Sequence, residues 1–264
     1  MNSRLRTIAR DTMTIIEQGR YHADREVAIG SDIARAVAGT RLHLPDDVLP
    51  VPATSAPAAP TIEVTNESSL SAARSLGGDV ACLVFASARH PGGGFRTGAQ
   101  AQEESLARSS ALYACLSAVP PFYAHHHAHP DLTYSDRVIY SPAVPVFRDD
   151  AGDLLATPYP VSFLTAAAPN RTAVLHHQPE RAATIATVLH RRAARVLAVA
   201  AHHGHRHLIL GAWGCGVFGN EPAAVAAAFA AHLHHSQWFD HVVFAVLDRQ
   251  PGTPTYAAFT RAFS

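Results

Sequence analysis

Residues 80–110 read VACLVFASARHPGGGFRTGAQAQEESLARSS, and their pattern is the clearest indication of the fold class. The apolar run Val80–Phe85 predicts a buried strand, and residues 103–117 are predicted to form one helix, with Leu106, Tyr113 and Leu116 facing inward. Between them lies loop 1, residues 86–101, whose three consecutive glycines free the backbone for close approach to a ligand. A strand, a glycine loop and a helix in this order indicate an α/β sheet.

A second glycine loop repeats this arrangement near the other end of the chain. Residues 211–220, which we call loop 2, read GAWGCGVFGN and lie between a predicted strand, residues 207–210, and a predicted helix, residues 222–235. Its glycines fit GxGxxG, which is weak alone, and too little chain follows for a dinucleotide dehydrogenase. Ligands of parallel sheets bind where strands end, so both loops are expected to face one ligand, with loop 2 as a diphosphate cradle.

The remaining elements alternate along the chain. A helix from Ser3 is expected to stop at Gly19, and residues 46–60 and 118–136 are expected to form a surface loop and a polar insert. The other predicted elements are strands at residues 61–65, 138–140, 144–147, 161–165 and 241–247, helices at 69–75 and 181–201, and a short final helix. We therefore predict one domain, residues 1–264, with a mixed sheet covered by helices on both faces and residues 1–60 packed on it as an N-terminal extension.

Composition excludes several classes of protein. Of 264 residues, 48% are apolar and 16% charged, and the formal net charge is zero, which predicts a compact globule without a basic face for duplex nucleic acid or a membrane. No apolar run of about 18 residues or apolar signal core is present. Cys82, Cys115 and Cys215 are far apart without a CxxC motif. We expect a cytoplasmic protein with reduced thiols and no structural zinc.

The 18 histidines invite a zinc-hydrolase interpretation. We disfavour it, because HExxH is absent and the histidine runs are predicted to lie in a loop (125–127), at a helix end (202–203) and on a solvent-facing helix side (232–235). No metal or cofactor is expected. Cys215 lacks an identifiable base, so it is disfavoured as a nucleophile. Trp213 is favoured as a core residue and Phe218 as a ligand contact. Residues 149 and 150, both Asp, either close a turn or touch adenine.

A family resemblance joins these features. The GGG at residues 92–94 and the QEE at 102–104 resemble the signature of the microbial-type poly(ADP-ribose) glycohydrolases. The resemblance extends to residues 140–149, YSPAVPVFRD, to loop 2 and to the N-terminal helix. It implies a macrodomain-like three-layer α/β/α fold and an enzyme that hydrolyses ribose–ribose O-glycosidic bonds from the polymer terminus to release ADP-ribose, as part of the reversal of ADP-ribosylation in the DNA damage response.

The resemblance also implies roles for individual residues. Glu104 would be the catalytic residue, Glu103 would hold the ribose hydroxyls as its catalytic partner, and Gln102 would help to position the loop. Phe218 would pack on the terminal ribose, and Val84 departs from the Asn that is usual in the family. The implied substrate-binding residues are Ser87, Ala88, Gly92, Gly93, Gly94, Gln102, Gly214, Cys215, Gly216, Val217, Phe218 and Gly219.

The mechanism we expect differs from that of ordinary glycosidases. Adjacent helical residues project about 100° apart, so Glu103 and Glu104 are not placed to flank a sugar. Our hypothesis is that Glu104 acts as acid and then as base, while the diphosphate of the ligand steadies the cationic ribose. Two alternatives remain, a non-catalytic ADP-ribose-binding module and a hydrolase of mono-ADP-ribosylated substrates. The protein is expected to be a monomer with ADP-ribose or its polymer as partner.

Overall fold

A seven-stranded mixed sheet forms the centre of the molecule. The computed structural model describes residues 3–50, 59–234 and 236–264. Two short strands, β1 (Arg20–His22) and β2 (Glu26–Ala28), make a separate hairpin. The central sheet has the order β3-β6-β7-β5-β8-β9-β4, and its strands are β3 (Arg41–His43), β4 (Thr61–Thr65), β5 (Val80–Phe85), β6 (Val138–Arg148), β7 (Leu154–Ala166), β8 (His207–Gly211) and β9 (His241–Ala245).

Helices cover both faces of this sheet. They are α1 (Ser3–Gln18), α2 (Gly30–Gly39), α3 (Ser69–Leu76), α4 (Gln102–Ser109), α5 (Leu112–Ser117), α6 (Pro120–Ala128), α7 (Arg171–His177), α8 (Ile185–His202), α9 (Pro222–Leu233) and α10 (Pro254–Phe263). Two 3₁₀ segments, Phe95–Thr97 and Pro179–Thr184, precede α4 and α8. Among the described residues, none of the helices combines the length and the hydropathy that a transmembrane span requires.

The alternation of side chains along the strands produces two cores. In β5, Ala81 and Leu83 pack in one core with residues of α8, α9 and α10. Cys82 and Val84 point to the opposite face and pack in a second core with residues of α1 to α6. β7, β5, β8, β9 and β4 run parallel, and β6 is antiparallel to its neighbours. The predicted three-layer α/β/α fold with a mixed sheet is confirmed.

The N-terminal segment packs on the sheet layers and supplies one strand. Helix α1 ends where Gly19 adopts a φ of +66°, as the sequence predicts. The Thr12 hydroxyl donates to the Arg108 carbonyl at 2.6 Å, and Arg148 forms an ion pair with Asp11. Strand β3 pairs with β6 at the edge of the sheet. The predicted loop at residues 46–60 lies partly outside the described residues, because residues 51–58 are not among them.

The prediction of a single helix over residues 103–117 was wrong. The structure has α4 and α5 instead, with the break at Ser110, whose backbone is extended at φ −145° and ψ 176°. Ser110 forms a β-bridge with Val146, and the Ala111 N–H donates to the Pro145 carbonyl at 3.1 Å. Backbone groups that would have continued the helix thus form hydrogen bonds with strand β6 instead.

The prediction of three short strands between residues 138 and 165 was also wrong. β6 and β7 are long strands that form an antiparallel hairpin, and Pro142 lies inside β6 instead of ending it. Ala143, with a φ of +44°, and a register shift between Ser141 and Val144 absorb the proline as a bulge. The last strand, β9, ends at Ala245, two residues earlier than predicted.

The region predicted as a polar insert, residues 118–136, contains helix α6, so the histidines at residues 125–127 lie on a helix and not in the predicted loop. Two prolines begin α6, and its buried residues are Phe122, Tyr123 and His126. Helix α7 was missed, and α8 begins at Ile185 because a 3₁₀ segment precedes it. Helix α9 ends at Leu233, and the predicted helical residue His235 lies outside the described residues.

Candidate active site

The two glycine loops lie side by side, as predicted. Loop 1 follows β5 and loop 2 follows β8, and these strands are parallel neighbours, with Val80 opposite His207 and Cys82 opposite Ile209. The carboxyl ends of both strands therefore open on the same edge of the sheet. This is the position at which α/β sheets bind ligands.

Loop 1 holds the carboxylate of Glu104 through its backbone. The Gly94 N–H donates to Oε1 of Glu104 at 3.0 Å, and the Ala101 N–H donates to Oε2 at 3.0 Å. Both carboxylate oxygens are thus oriented by main-chain donors, with Glu104 in the first turn of α4. The side chain remains half-buried, so it can meet a ligand at the loop.

Gly93 explains why the glycine run and the carboxylate pair occur together. Its φ is +57°, in the left-handed region that favours glycine. A Cβ atom on Gly93 would lie 3.0 Å from Cδ of Glu104 and 3.2 Å from Oε2 of Glu103, and closer still to Oε1 of Glu104. Only a residue without a side chain therefore leaves both carboxylates in place.

Glu103 is a buried carboxyl group. It is 3% exposed, and its Oε2 accepts a hydrogen bond of 2.6 Å from the Ser87 N–H. Its other oxygen, Oε1, is buried without a hydrogen-bond partner among the described residues. Burial raises the pKa of Glu103 well above its ordinary value, and the neighbouring charge of Glu104 raises it further, while the N–H groups of Ser87 and Gly92 lower it. Folding therefore shifts Glu103 towards its protonated form relative to the unfolded chain.

Replacing this group is expected to stabilise the protein. Glu103→Gln should raise the free energy of unfolding near neutral pH, because the amide is never ionised and avoids the cost of burying a charge. The folded pKa lies above the unfolded value of about 4.3, so the wild-type protein loses stability as the pH rises through this interval and the variant does not. Urea unfolding at about pH 4.5 and about pH 7.5 measures this difference. If the difference in free energy of unfolding between the variant and the wild type did not increase with pH, the raised pKa of Glu103 would be contradicted.

Both polar atoms of the Gln102 side-chain amide form hydrogen bonds within the protein. Its Oε1 accepts from the Phe85 N–H at 2.9 Å, and its Nε2 donates to the Leu83 carbonyl at 2.7 Å and to the Ser69 hydroxyl at 3.0 Å. These bonds fasten the start of α4 to the end of β5. The contacts fit the positioning role implied for Gln102 and leave no amide hydrogen for a ligand.

Ser87 and Ala88 form the start of loop 1. The Ser87 hydroxyl accepts from the N–H groups of Arg89 and His90 at 3.3 and 3.2 Å, which closes a tight turn. Ala88 is buried. The side chains of both residues therefore shape the loop, and their contact with a ligand stays a prediction.

Loop 2 is closed by Asn220, which the sequence analysis did not single out. Asn220 Nδ2 donates to the Pro169 carbonyl at 2.8 Å, and its N–H donates to the Gly214 carbonyl at 3.0 Å. Gly214 has a φ of +71°, and a Cβ there would lie 2.5 Å from Asn220 Nδ2 and 2.6 Å from Ala168 Cβ. Asn220 lies two residues before Pro222, the first residue of α9, and its partners Pro169 and Gly214 become apparent only in the folded structure.

The tip of loop 2 presents apolar groups to solvent. Val217 is 84% exposed, and Phe218 beside it is half-buried. Trp213 is buried, with Nε1 donating to the Ala166 carbonyl at 2.9 Å, so its predicted place in the core is confirmed. Burial and, to a smaller extent, the charge of Glu221 raise the pKa of Cys215 to about 12. This thiol is therefore a poor nucleophile at neutral pH, and Val217 leaves an apolar surface exposed at the tip of loop 2.

Comparisons with known proteins identify the family. The sequence profile of the family described as microbial-type PARG, catalytic domain, matches residues 9–149, more than half of the chain. The chain belongs to the microbial-type poly(ADP-ribose) glycohydrolases. No curated protein matches it.

Solved structures agree over nearly the whole chain. The poly(ADP-ribose) glycohydrolase from Thermomonospora curvata is 55% identical, with a TM-score of 0.94 over 99% of this chain and 100% of that one. The same enzyme bound to the inhibitor ADP-HPD has a TM-score of 0.90 at 55% identity and the same coverage. The enzyme from Deinococcus radiodurans in complex with ADP-ribose is 44% identical, with a TM-score of 0.82 over 88% of this chain and 97% of that one.

The departure from the glycohydrolase family at Val84 lies in the core. Val84 is buried on the α1 to α6 face of β5 and makes apolar contacts. Asp149 takes part in a turn at the tip of the β6–β7 hairpin, where it accepts from the Asp153 N–H at 2.9 Å, and Asp150 accepts from the Ser68 hydroxyl at 2.6 Å. Contact of either residue with adenine stays a prediction.

The histidine-rich runs of this glycohydrolase take part in packing. His126 bonds the Ser135 hydroxyl at 2.8 Å, and His203 stacks on Tyr140 with ring centroids 3.6 Å apart. Burial lowers the pKa of His126 and of His203 to about 4, so both are neutral at physiological pH. Within the described ranges, no group of three or more His, Cys, Asp or Glu residues is arranged to hold a metal ion.

Proposed function

We propose that this chain releases ADP-ribose from the terminus of poly(ADP-ribose) by hydrolysing ribose–ribose O-glycosidic bonds, with Glu104 as the catalytic residue. The observation that carries this proposal is the placement of the Glu104 carboxylate. Two backbone N–H groups of loop 1 orient it, it lies against Gly93, and it stands at the sheet edge shared with loop 2.

The reaction assigns Glu104 two proton transfers. Cleavage of the glycosidic bond leaves an oxocarbenium-like ribose and requires a proton on the leaving oxygen. Protonated Glu104 donates this proton, and the resulting carboxylate then takes a proton from the water that adds to the ribose carbon. One water is consumed, the carboxyl group is restored, and no metal is part of the proposal. In this scheme the diphosphate of the substrate, held by loop 2, steadies the positive charge on the ribose.

Glu103 contributes to binding in this scheme. Its Oε1 is buried and unpartnered among the described residues, while Oε2 is held by the Ser87 N–H. A buried polar atom without a partner is unfavourable, and a ribose hydroxyl supplies the missing hydrogen bond. We propose that Glu103 orients the terminal ribose in this way, so that its linkage faces Glu104.

Loop 2 supplies the other half of the proposed site. Its backbone from Gly214 to Gly219 leads to the N-terminus of α9, a favourable place for a diphosphate. The exposed Val217 and half-buried Phe218 would cover the ribose next to it. The Deinococcus radiodurans relative was solved with ADP-ribose, which supports the same ligand here.

Two other activities fit the same pocket. A non-catalytic ADP-ribose reader needs the glycine loops but gains nothing from a buried carboxyl group next to an oriented one, so the Glu103–Glu104 pair favours the enzyme. A hydrolase of mono-ADP-ribosylated proteins needs the same pocket and differs only in the acceptor. The substrate therefore has to be established by experiment.

Incubation with two substrates tests the proposal. The wild-type protein should release free ADP-ribose from poly(ADP-ribose) and leave a mono-ADP-ribosylated protein intact, because the linkage to the protein is not ribose–ribose. Chromatography of the released nucleotide measures both reactions, and buffer with EDTA tests that no metal is needed. Binding of ADP-ribose without release from either substrate would make the chain a reader, and release only from the modified protein would make it a mono-ADP-ribose hydrolase.

We also propose a setting for this activity. The enzyme acts as a monomer in the cytoplasm on the products of ADP-ribosylation, including those of the DNA damage response, with residues 1–264 as one catalytic domain. Pairing of β3 with β6 supports inclusion of the N-terminal segment in that domain. The free thiols of Cys82, Cys115 and Cys215 are consistent with a reducing compartment.

A further inference from the structure

Tyr134 has a backbone conformation that is unfavourable for an aromatic residue. Its φ is +59°, and in the described ranges only two other non-glycine residues, Ala143 and Thr253, have a positive φ. The left-handed region is an outlier for a bulky side chain and is tolerated where the surrounding structure demands it. Tyr134 belongs to the segment between α6 and β6, which the mechanism above does not use.

The residues on both sides of Tyr134 hold this conformation. The Asp131 carbonyl accepts from the Tyr134 N–H at 3.1 Å, and its Oδ1 accepts from the Thr133 N–H at 2.8 Å. On the other side, the Ser135 hydroxyl bonds His126 of α6 at 2.8 Å. Asp136 is paired with Arg192 at 2.9 Å. Tyr134 is thus the half-exposed residue of an otherwise anchored turn.

Arg192 ties this turn to the edge of the sheet where the site opens. The arginine is fully buried, and it donates to the Thr133 carbonyl at 2.8 Å and to the Ala167 carbonyl at 2.6 Å. Ala167 directly follows β7, the parallel neighbour of β5. Burying a guanidinium group is expensive unless it is paired with an opposite charge, and Arg192 is paired with Asp136 through Nε. Here it fixes the turn beside the carboxyl ends of the strands that carry the site.

The ring of Tyr134 faces loop 2. Its centroid is 6.0 Å from that of Phe218 with the planes tilted by 45°, and 5.7 Å from that of His126 on the opposite element. Its hydroxyl makes no hydrogen bond within the part of the chain that the structure describes. The ring therefore stands between the α6–β6 turn and Phe218, with a free polar tip.

We propose that Tyr134 is a substrate-contacting residue that, with Phe218, forms an aromatic wall for the terminal ADP-ribose unit. This inference rests on the proposed function. The ring packs against the apolar face of the ribose, and the hydroxyl donates a hydrogen bond to an oxygen of the same unit. The unfavourable backbone is retained because it directs the ring towards loop 2, where a residue with ordinary backbone angles would turn it away.

Two substitutions separate this role from a structural one. Tyr134→Asn removes the ring but accepts the left-handed conformation, so its Tm should equal or exceed that of the wild type. Its ADP-ribose affinity, measured by calorimetry, should fall about tenfold or more. Tyr134→Phe keeps the ring and the strained backbone, so its affinity should stay within about threefold of the wild type. Both are measured well below the melting temperatures, so that folded proteins are compared.

Kinetics with poly(ADP-ribose) add a second readout. Because Glu104 and loop 1 are untouched, Tyr134→Asn should raise KM and change kcat little. If Tyr134→Asn bound ADP-ribose with wild-type affinity, whatever its Tm, the inference would be overturned. The same holds if the Phe and Asn variants lost equal affinity, because the ring would then contribute nothing to binding. Failure of the wild-type protein itself to bind ADP-ribose would instead overturn the proposed function, so the two failures are distinguishable.

Discussion

Glu104→Gln should release ADP-ribose from poly(ADP-ribose) at least about 10³-fold more slowly than the wild type, with its ADP-ribose affinity preserved within a few-fold. Glutamine has the size of glutamate, and its oxygen still accepts from one of the two loop 1 N–H groups. It has no proton to give to a leaving oxygen and cannot take one from water. The change therefore removes the chemistry and leaves the pocket.

The control for this variant is a carboxylate outside the site. Glu180→Gln changes an exposed residue of the 3₁₀ segment before α8 in the same way and should have wild-type turnover. Initial rates of nucleotide release, with calorimetric affinities on the same preparations, provide the comparison. Turnover of Glu104→Gln within about tenfold of the wild type would mean that another group transfers the proton.

Gly93→Ala should be the second most damaging change. Alanine at a φ of +57° is strained, and its Cβ would collide with the carboxyl group of Glu104. We expect kcat/KM to fall at least about 10²-fold because a misplaced catalytic group loses its orientation. The free energy of unfolding should fall by about 1–3 kcal/mol. Nucleotide release and urea unfolding measure the two effects.

Gly77 provides a matched control for the backbone effect alone. It has a φ of +63°, and a Cβ at this position would meet nothing within 4 Å. Gly77→Ala should lose about 1–3 kcal/mol of stability at the end of α3, because a φ of 63° with a ψ of −177° is essentially restricted to glycine, and should keep full activity. If Gly93→Ala were as active as Gly77→Ala, Gly93 would not position Glu104.

The centre of the site could be predicted from the sequence because its signals are local. The apolar run of β5, the glycines of loop 1 and the carboxylates that open α4 follow one another within 25 residues, from 80 to 104. Glycine is required where Gly93 meets Glu104, so its presence marks the contact directly. Loop 2 carries the same kind of signal after β8.

The parts that sequence analysis missed depend on long-range partners. The break between α4 and α5 occurs because Ser110 pairs with Val146, which lies 36 residues further along the chain. Helical periodicity carries no trace of that bridge. Pro142 was interpreted as the end of a strand. It lies instead in a bulge that β7 stabilises, since the Ser162 hydroxyl accepts from the Ala143 N–H at 3.0 Å.

The supporting residues of the site were hidden for the same reason. Asn220 closes loop 2 by bonding Pro169 after β7, and Arg192 on α8 fixes the turn that carries Tyr134. Neither belongs to a recognisable motif, because each acts on a segment far away in the sequence. The backbone angle of Tyr134 is likewise invisible until the fold is known. Residues that bind substrate through motifs are predictable, and those that hold the motifs in place are not.

The most direct test of the account is a crystal structure of Glu104→Gln with a short ADP-ribose oligomer bound. We predict that the terminal unit spans loops 1 and 2, with the oxygen of the ribose–ribose linkage within hydrogen-bond reach, about 3 Å, of the side chain at position 104. A bound oligomer whose linkage lies away from residue 104 would contradict the assignment of Glu104 as the catalytic residue.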